Sequence, residues 1–269
     1  NMISILIRNK NEANSLVNAL LSIKKQKFDL PYEIVIIDDA STDNSIEIAN
    51  EFGCKVVKLD KKFTYGYALN FGLKHCQYEI VLLLSSHNIL LSSDFFENFV
   101  HYFSDPSVAS VRCIPISNTK QILQSVKGDL TINKSNYVHE KDWQNLIVAN
   151  CSAIRKSVAI QIPFNETIRS NEEKLWSLEV MEKGYSLKSN VSCYFLYNRK
   201  NNYEVDIRDH ISKYQVDGII PLKTSRFIWI FFKSIPWALK IAWDRWYQTN
   251  HLNWEFSRIS RKFEKGKYN

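Results

Sequence analysis

The sequence predicts an α/β fold, a mostly parallel sheet flanked by helices, and three observations carry that expectation. Over roughly the first 100 residues, short β-branched apolar runs alternate with longer polar-apolar stretches, the rhythm of successive βαβ units. The 269-residue chain is 45% hydrophobic and 13% aromatic, enough to bury a full core as one large domain or one domain with an appendage. Seven Gly and six Pro are few for this length, and no fixed-period repeat or low-complexity tract occurs. Collagen-like, linker-rich and solenoid architectures are therefore excluded.

The apolar run over 3–7 predicts the first strand, and the stretch over 13–25 the helix that leads to a second strand over 33–37. A second helix over 44–52 and a third strand over 55–58 follow. Ser41 or Thr42 stands where it can cap that second helix, and Asp43 where it favours the helix dipole. A third helix is expected over 66–74, a fourth strand over 80–84, a fourth helix over 94–103 and a fifth strand over 109–114. Beyond Pro115 the alternation fades into Ser, Asn, Lys and Gln, so an irregular segment is expected to about residue 141, before the apolar stretch 146–154 resumes the fold. A helical pattern of Leu175, Leu178, Val180 and Met181 ends at Gly184 as its C-cap. Ligands of such sheets sit beyond the C-terminal strand ends. The turns over 8–12, 38–43 and 85–88 are therefore the ones that matter.

The five cysteines are odd in number and far apart, without the spacing of a disulfide framework or a zinc site, and fit a reducing cytoplasm. The N-terminus enters an apolar run at Ile3 without a basic region and cleavage site, so no secretory signal is expected. The formal charge of +7 is localised: from Leu222 on, ten Lys and Arg face three acids, while residues 1–221 are neutral. A neutral body argues against a nucleic-acid groove, and the basic segment points to a partner that it alone touches.

Asp38 and Asp39 end the second strand. Adjacent carboxylates at the mouth of a sheet repel each other and gain nothing unless something donates hydrogen bonds to them, such as a nucleobase N–H or ribose hydroxyls. A ligand pocket is expected around this pair. Glu172 and Glu173 open the helical pattern that ends at Gly184, where acids also favour the helix dipole.

Four stretches in register resemble the family 2 glycosyltransferases, inverting enzymes of the GT-A fold. They are Ile7-Arg8-Asn9-Lys10-Asn11-Glu12, Asp38-Asp39-Ala40-Ser41-Thr42-Asp43, Gly66-Tyr67-Ala68-Leu69-Asn70-Phe71-Gly72 and Asn171-Glu172-Glu173-Lys174-Leu175-Trp176. The resemblance implies that Glu12 holds the nucleoside of a nucleotide-sugar donor and Asp39 its base, with Arg8 and Asn11 shaping the loop between them. Asn70, with Gly66 and Gly72, would let the backbone pass close to the donor, although packing alone also accounts for the glycines. Glu173 falls where relatives place the acid that deprotonates the acceptor hydroxyl, one methylene longer than the Asp of most, and Glu172 would shape the site.

The sequence departs from the family after the fourth strand, where Ser85 and His87 replace the acids of the metal-binding Asp-x-Asp. A hard divalent cation such as Mg²⁺ thereby loses its usual ligands. The late metal-binding His of many relatives is also absent, with Tyr197-Asn198-Arg199 in its place. This Ser-x-His is similar to that of bacterial rhamnosyltransferase-like enzymes. Two roles stay open for His87: ligand of a softer cation such as Mn²⁺ through its imidazole, or direct contact with the diphosphate, which is the favoured one. Arg8, Arg155 or Arg199 would then help offset the charge of the leaving diphosphate.

The last segment is basic and aromatic. Five of the seven tryptophans follow Leu222, and Arg226, Lys233, Lys240 and Asp244 fall on one helical stripe that Pro236 interrupts. The longest apolar run, over 227–232, is far short of the ~20 residues of a spanning helix. The segment is expected to lie on an anionic membrane surface, and packing on the body or on a second subunit of a homo-oligomer is the alternative. The expected organisation is thus a nucleotide-sugar-binding half over 1–118, an acceptor and catalytic half over 119–221, and C-terminal helices over 222–269. The expected activity is sugar transfer to a glycan or lipid-linked acceptor in bacterial surface polysaccharide synthesis, at the cytoplasmic face of the membrane, with no nucleic-acid partner. The competing readings are a non-catalytic nucleotide-sugar-binding subunit or scaffold, and an interaction protein driven by the basic segment.

Overall fold

The structure, a computed structural model, describes residues 2–117, 119–168 and 171–197. The C-terminal segment and Arg199 lie outside the described residues. In chain order the strands are β1 (Ile3–Asn9), β2 (Tyr32–Asp38), β3 (Lys55–Lys58), β4 (Ile80–Ser85), β5 (Asn88–Leu90), β6 (Val108–Arg112), β7 (Ile114–Pro115), β8 (Leu130–Ile132), β9 (Cys151–Arg155), β10 (Ser186–Ser189) and β11 (Tyr194–Tyr197). The helices are α1 (Ala13–Lys24), α2 (Ser45–Glu51), α3 (Tyr65–His75), α4 (Glu97–Val100), α5 (Thr119–Ser125), α6 (His139–Asp142), α7 (Lys156–Gln161) and α8 (Glu172–Glu182).

An eight-stranded sheet runs in the order β3-β2-β1-β4-β9-β6-β10-β8. β9 is antiparallel to both of its neighbours and β8 to β10, so the other strands share one direction and the sheet is mostly parallel, as the alternation predicts. Strand side chains alternate between faces. Ile3, Ile5, Ile7, Ile34 and Ile36 meet α1 through Leu16, Leu20 and Ile23, with Phe95, Phe96 and Phe99 alongside. Leu6, Val35, Ile37, Val81 and Leu83 face the other way, onto Leu69 and Leu73 of α3 and Trp176 and Val180 of α8. A small second sheet, β5-β11-β7, lies beside the β4 turn.

Three expectations differ from the structure. The fifth strand, expected over 109–114, breaks at Cys113 into β6 and β7, which belong to different sheets. The fourth helix is short, α4 followed by a 3₁₀ turn over His101–Ser104, and its phenylalanines pack edge to face against one another. The segment expected to be irregular contains α5, β8 and α6. The apolar pattern is silent there because α5 buries polar side chains: Gln121 and Ser125 face inward while Leu123 is 68% exposed. Gln121 accepts from buried Arg112 at 2.8 Å and donates to Asn145 at 3.2 Å. Desolvation pulls the Arg112 guanidinium down to about 10, and the Gln121 side-chain carbonyl that accepts from it ties α5 to β6.

Candidate active site

The turns after β1 and β2 are built as one unit. Buried Asp38 accepts from the Asn9 carboxamide at 3.1 Å, the Ser41 N–H at 2.9 Å and the Ser41 hydroxyl. Ser41 Oγ also accepts from the Asn11 N–H at 2.9 Å, and Asn11 Oδ1 accepts from the Thr42 N–H at 2.7 Å. Asn11 and Ala40 take left-handed backbone conformations, φ 52° and 53°, to make this lock. Asp43 spans both helix starts, accepting from the Ala13 N–H at 2.9 Å and the Ser45 N–H at 3.1 Å. Desolvation pushes its carboxyl up, but the hydrogen bond from the Ser45 hydroxyl, with those from the two N–H groups, outweighs it and holds the group below the ordinary carboxylate range.

This corrects the premise drawn from the acidic pair. Asp38 does have protein donors, Asn9 and Ser41, and its carboxylate organises the turn. Asp39 is the outer acid, with its side chain 21% exposed and 2.6 Å from Lys10 Nζ. Ser41 and Thr42 do not cap α2; they link the two turns instead.

Beyond β1 and β4 lies a pocket of about 240 Å³, lined by Arg8, Tyr65, Ser85, His87, Val148, Ala149, Asn150, Asn171, Glu172, Glu173 and Tyr197. Arg8 ends in it, donating to the Ala149 carbonyl at 3.0 Å, 3.9 Å from the buried Glu172 carboxylate and 5.1 Å from the Tyr65 ring centroid. The α8 N-terminus supplies Glu172 and Glu173 to the pocket lining, after Asn171 takes a left-handed conformation with φ 62°. The β4 turn supplies Ser85 and His87 to the same lining. Ser85 Oγ lies 3.1 Å from His87 Nε2, His87 Nδ1 lies 4.0 Å from Glu12, and Tyr197 packs edge to face on the imidazole with centroids 5.0 Å apart.

Asn11, Glu12, Asp38 and Asp39, around which the ligand was expected, do not line this pocket, although Glu12 lies 4.0 Å from His87, and two further expected site residues stand apart from it. Arg155 pairs with Ile80 at the start of β4, whereas Ser85 ends that strand, which separates Arg155 from the pocket by roughly 17 Å of strand. Arg155 instead donates to the Phe103, Asp105 and Val108 carbonyls. An antiparallel β9 reverses the end at which its last residue emerges, and that orientation was not legible in the sequence. Asn70 exchanges hydrogen bonds with the Phe164 backbone at 2.8 and 2.9 Å and bonds Glu166 at 2.8 Å, so it braces the 164–166 segment. The glycines of α3 serve packing. A Cβ on Gly66 would stand 2.1 Å from the Asn165 carbonyl oxygen, and one on Gly72 2.6 Å from Leu6 Cδ1.

Sequence reasoning missed Tyr65, Val148, Ala149, Asn150 and Tyr197. The one signal for Asn150 was a polar residue interrupting the apolar stretch 146–154, and its position opposite Ser85 follows only once β9 is known to run antiparallel. The donor set at the β4 turn does not fit a resident divalent cation, which favours several carboxylate oxygens. Ser85 and His87 hydrogen-bond each other, the Glu12 carboxylate lies 4.0 Å from the imidazole, and among the described residues no group of three His, Cys, Asp or Glu side chains is arranged to hold a metal ion.

This architecture has known counterparts. A mannosyltransferase from Pyrobaculum calidifontis, solved with GDP-Man and Mn²⁺, superposes with a TM-score of 0.66 at 19% identity, over 82% of this chain and 65% of its own. Staphylococcus aureus TarS 1-349, solved with UDP-GlcNAc, superposes with a TM-score of 0.54 at 20% identity, over 74% of this chain and 57% of its own. At such identities the likeness is one of fold, and the fold is that of GT-A glycosyltransferases. In sequence, the O-antigen chain rhamnosyltransferase RfbN of Salmonella typhimurium is 25% identical over 197 residues, 69% of this chain and 62% of its own. Poly-beta-1,6-N-acetyl-D-glucosamine synthase of Staphylococcus epidermidis is 30% identical over 130 residues, 46% of this chain and 31% of its own. The chain thus spans less than two thirds of the length of these two relatives. The model of glycosyl transferase family 2 matches residues 4–204, and the chain belongs to that family.

Proposed function

We propose that this protein is an inverting glycosyltransferase that moves a sugar from a nucleoside-diphosphate donor to a hydroxyl of a glycan or lipid-linked acceptor, in bacterial surface polysaccharide synthesis. The observation that carries the reading is the pocket itself, which Glu172 and Glu173 line together with Arg8, Ser85 and His87. In this reading Glu12 and Asp39 bind the nucleoside, Asn11 and Asp38 fix the turns that present them, and His87 and Ser85 meet the diphosphate. Glu173 removes the proton of the acceptor hydroxyl as that oxygen attacks the anomeric carbon from the face opposite the diphosphate, which inverts the centre. Imidazole hydrogen bonding, reinforced by the Arg8 charge, offsets the charge that develops on the leaving group. No step is routed through a metal ion. The basic aromatic segment after Leu222 holds the enzyme on anionic lipid at the cytoplasmic face.

The Ser85 and His87 replacements favour one second reading, a nucleotide-sugar-binding subunit that has lost catalysis. A thermal-shift screen with UDP, GDP, dTDP and CMP sugars, with and without EDTA, tests the common ground of both. A donor present at 100 times its Kd is expected to raise Tm by about 5 °C or more, unaffected by EDTA. No response from any conjugate would contradict both readings, and binding that requires Mn²⁺ would contradict the metal-free diphosphate site.

A further inference from the structure

We propose that Asn150 is a specificity-determining residue whose carboxamide hydrogen-bonds a hydroxyl or acylamino group of the sugar being transferred. The inference rests on the sugar-transfer reading of the pocket.

The backbone of this residue is fixed on both sides. Its carbonyl accepts from the Ser85 N–H at 2.9 Å and from the Asn88 carboxamide at 2.6 Å. The preceding carbonyl, of Ala149, accepts from Arg8 at 3.0 Å, and the Val148 N–H donates to Ser152 Oγ at 3.1 Å. The strap over 148–150 is therefore tied to β1, β4 and β9 at once. The Asn150 side chain takes no part in this. It lines the pocket, yet its Oδ1 is buried without a hydrogen-bond partner, and its Nδ2 bonds to nothing among the described residues. Buried polar groups are almost always paired, because an unpaired one costs stability. A carboxamide held at a fixed backbone position, with its own bonds unmade, is poised for a partner that arrives with a ligand. Rotation about its terminal torsion presents either the amide N–H or the carbonyl oxygen to the pocket.

Position and charge select the partner. Asn150 is bonded through its backbone to Ser85, on the turn assigned to the diphosphate, and shares the pocket with Glu173, assigned to the acceptor. The group between a leaving diphosphate and an attacking hydroxyl is the transferred sugar. A neutral side chain that can both donate and accept suits sugar hydroxyls or an acylamino group, whereas a phosphate calls for cations. A site built to hydrogen-bond a substrate hydroxyl also rejects analogues that lack it.

Isothermal titration of the wild type, Asn150→Ala and Asn150→Leu separates the sugar contact from the nucleotide contact. Each protein is titrated with UDP, GDP and dTDP, and with UDP-N-acetylglucosamine, UDP-glucose, GDP-mannose and dTDP-rhamnose. Both variants are expected to bind the bare nucleotide within about twofold of the wild type, while the conjugate that the wild type prefers weakens about tenfold. Bare-nucleotide binding also reports that each variant is folded. Unchanged conjugate binding in both variants, or an equal loss for conjugate and bare nucleotide, overturns the proposal. A wild type that binds no nucleotide at all overturns the sugar-transfer reading, and this inference with it.

Discussion

Asp43 accepts hydrogen bonds from the first residue of α1 and the first of α2, and so sets the relation between two turns that each present candidate ligand-binding residues. Its depressed carboxyl pKa makes that contribution pH-dependent. The stabilisation is present above the unfolded-state value of about 3.9 and is lost as pH falls through the lower folded-state value. Asp43→Ala is expected to cost about 1 kcal/mol at pH 7, in the range of lost helix caps. The gap to the wild type in urea denaturation should narrow below pH 4, and a gap that stays constant from pH 7 to pH 3 would contradict the assignment. The same pair of turns shows what sequence alone resolves. Asp38, Asp39 and Glu12 stand at strand ends, as alternation and spacing predict. That Asp38 faces inward to Asn9 and Ser41 while Asp39 faces outward is a matter of side-chain direction, and neighbouring identical residues cannot reveal it.

At the scale of elements, α3 approaches two neighbours more closely than a side chain permits. A Cβ at Gly66 would meet main-chain atoms of residues 165 and 166, which cannot step aside cheaply, whereas one at Gly72 would meet the flexible ends of Leu6 and Ile37. Gly66→Ala is therefore expected to cost about 2–3 kcal/mol and Gly72→Ala less, measured as ΔG of unfolding. A Gly66→Ala variant as stable as the wild type would mean that the 164–166 segment is not held against α3. The buried strands of the parallel half are legible because their apolar runs are uninterrupted: 80–84 is Ile-Val-Leu-Leu-Leu, and β4 is buried throughout. The edge strand β8 and helix α5 are not. Of β8 only Ile132 is buried, and α5 turns Gln121 inward to a buried arginine, so neither leaves an apolar periodicity to read.

At the scale of the whole molecule, the neutral body and the separate basic segment divide the labour of the proposed enzyme. Among the described residues no helix is long and apolar enough to cross a membrane. The membrane role is assigned to the segment after Leu222, so truncation at Pro221 should abolish sedimentation with phosphatidylserine liposomes at 50 mM salt, while nucleotide affinity stays unchanged. Retained liposome binding would move the contact to the body. Catalysis is assigned to the α8 N-terminus, whose Glu172 and Glu173 share one pocket with Ser85 and His87 of the β4 turn. Its most direct measurement is sugar transfer by Glu173→Gln, with donor binding followed in parallel. If Glu173 is the base, kcat falls by at least about 100-fold while the donor binds as it does to the wild type. Turnover equal to that of the wild type, with the donor bound, would contradict the account.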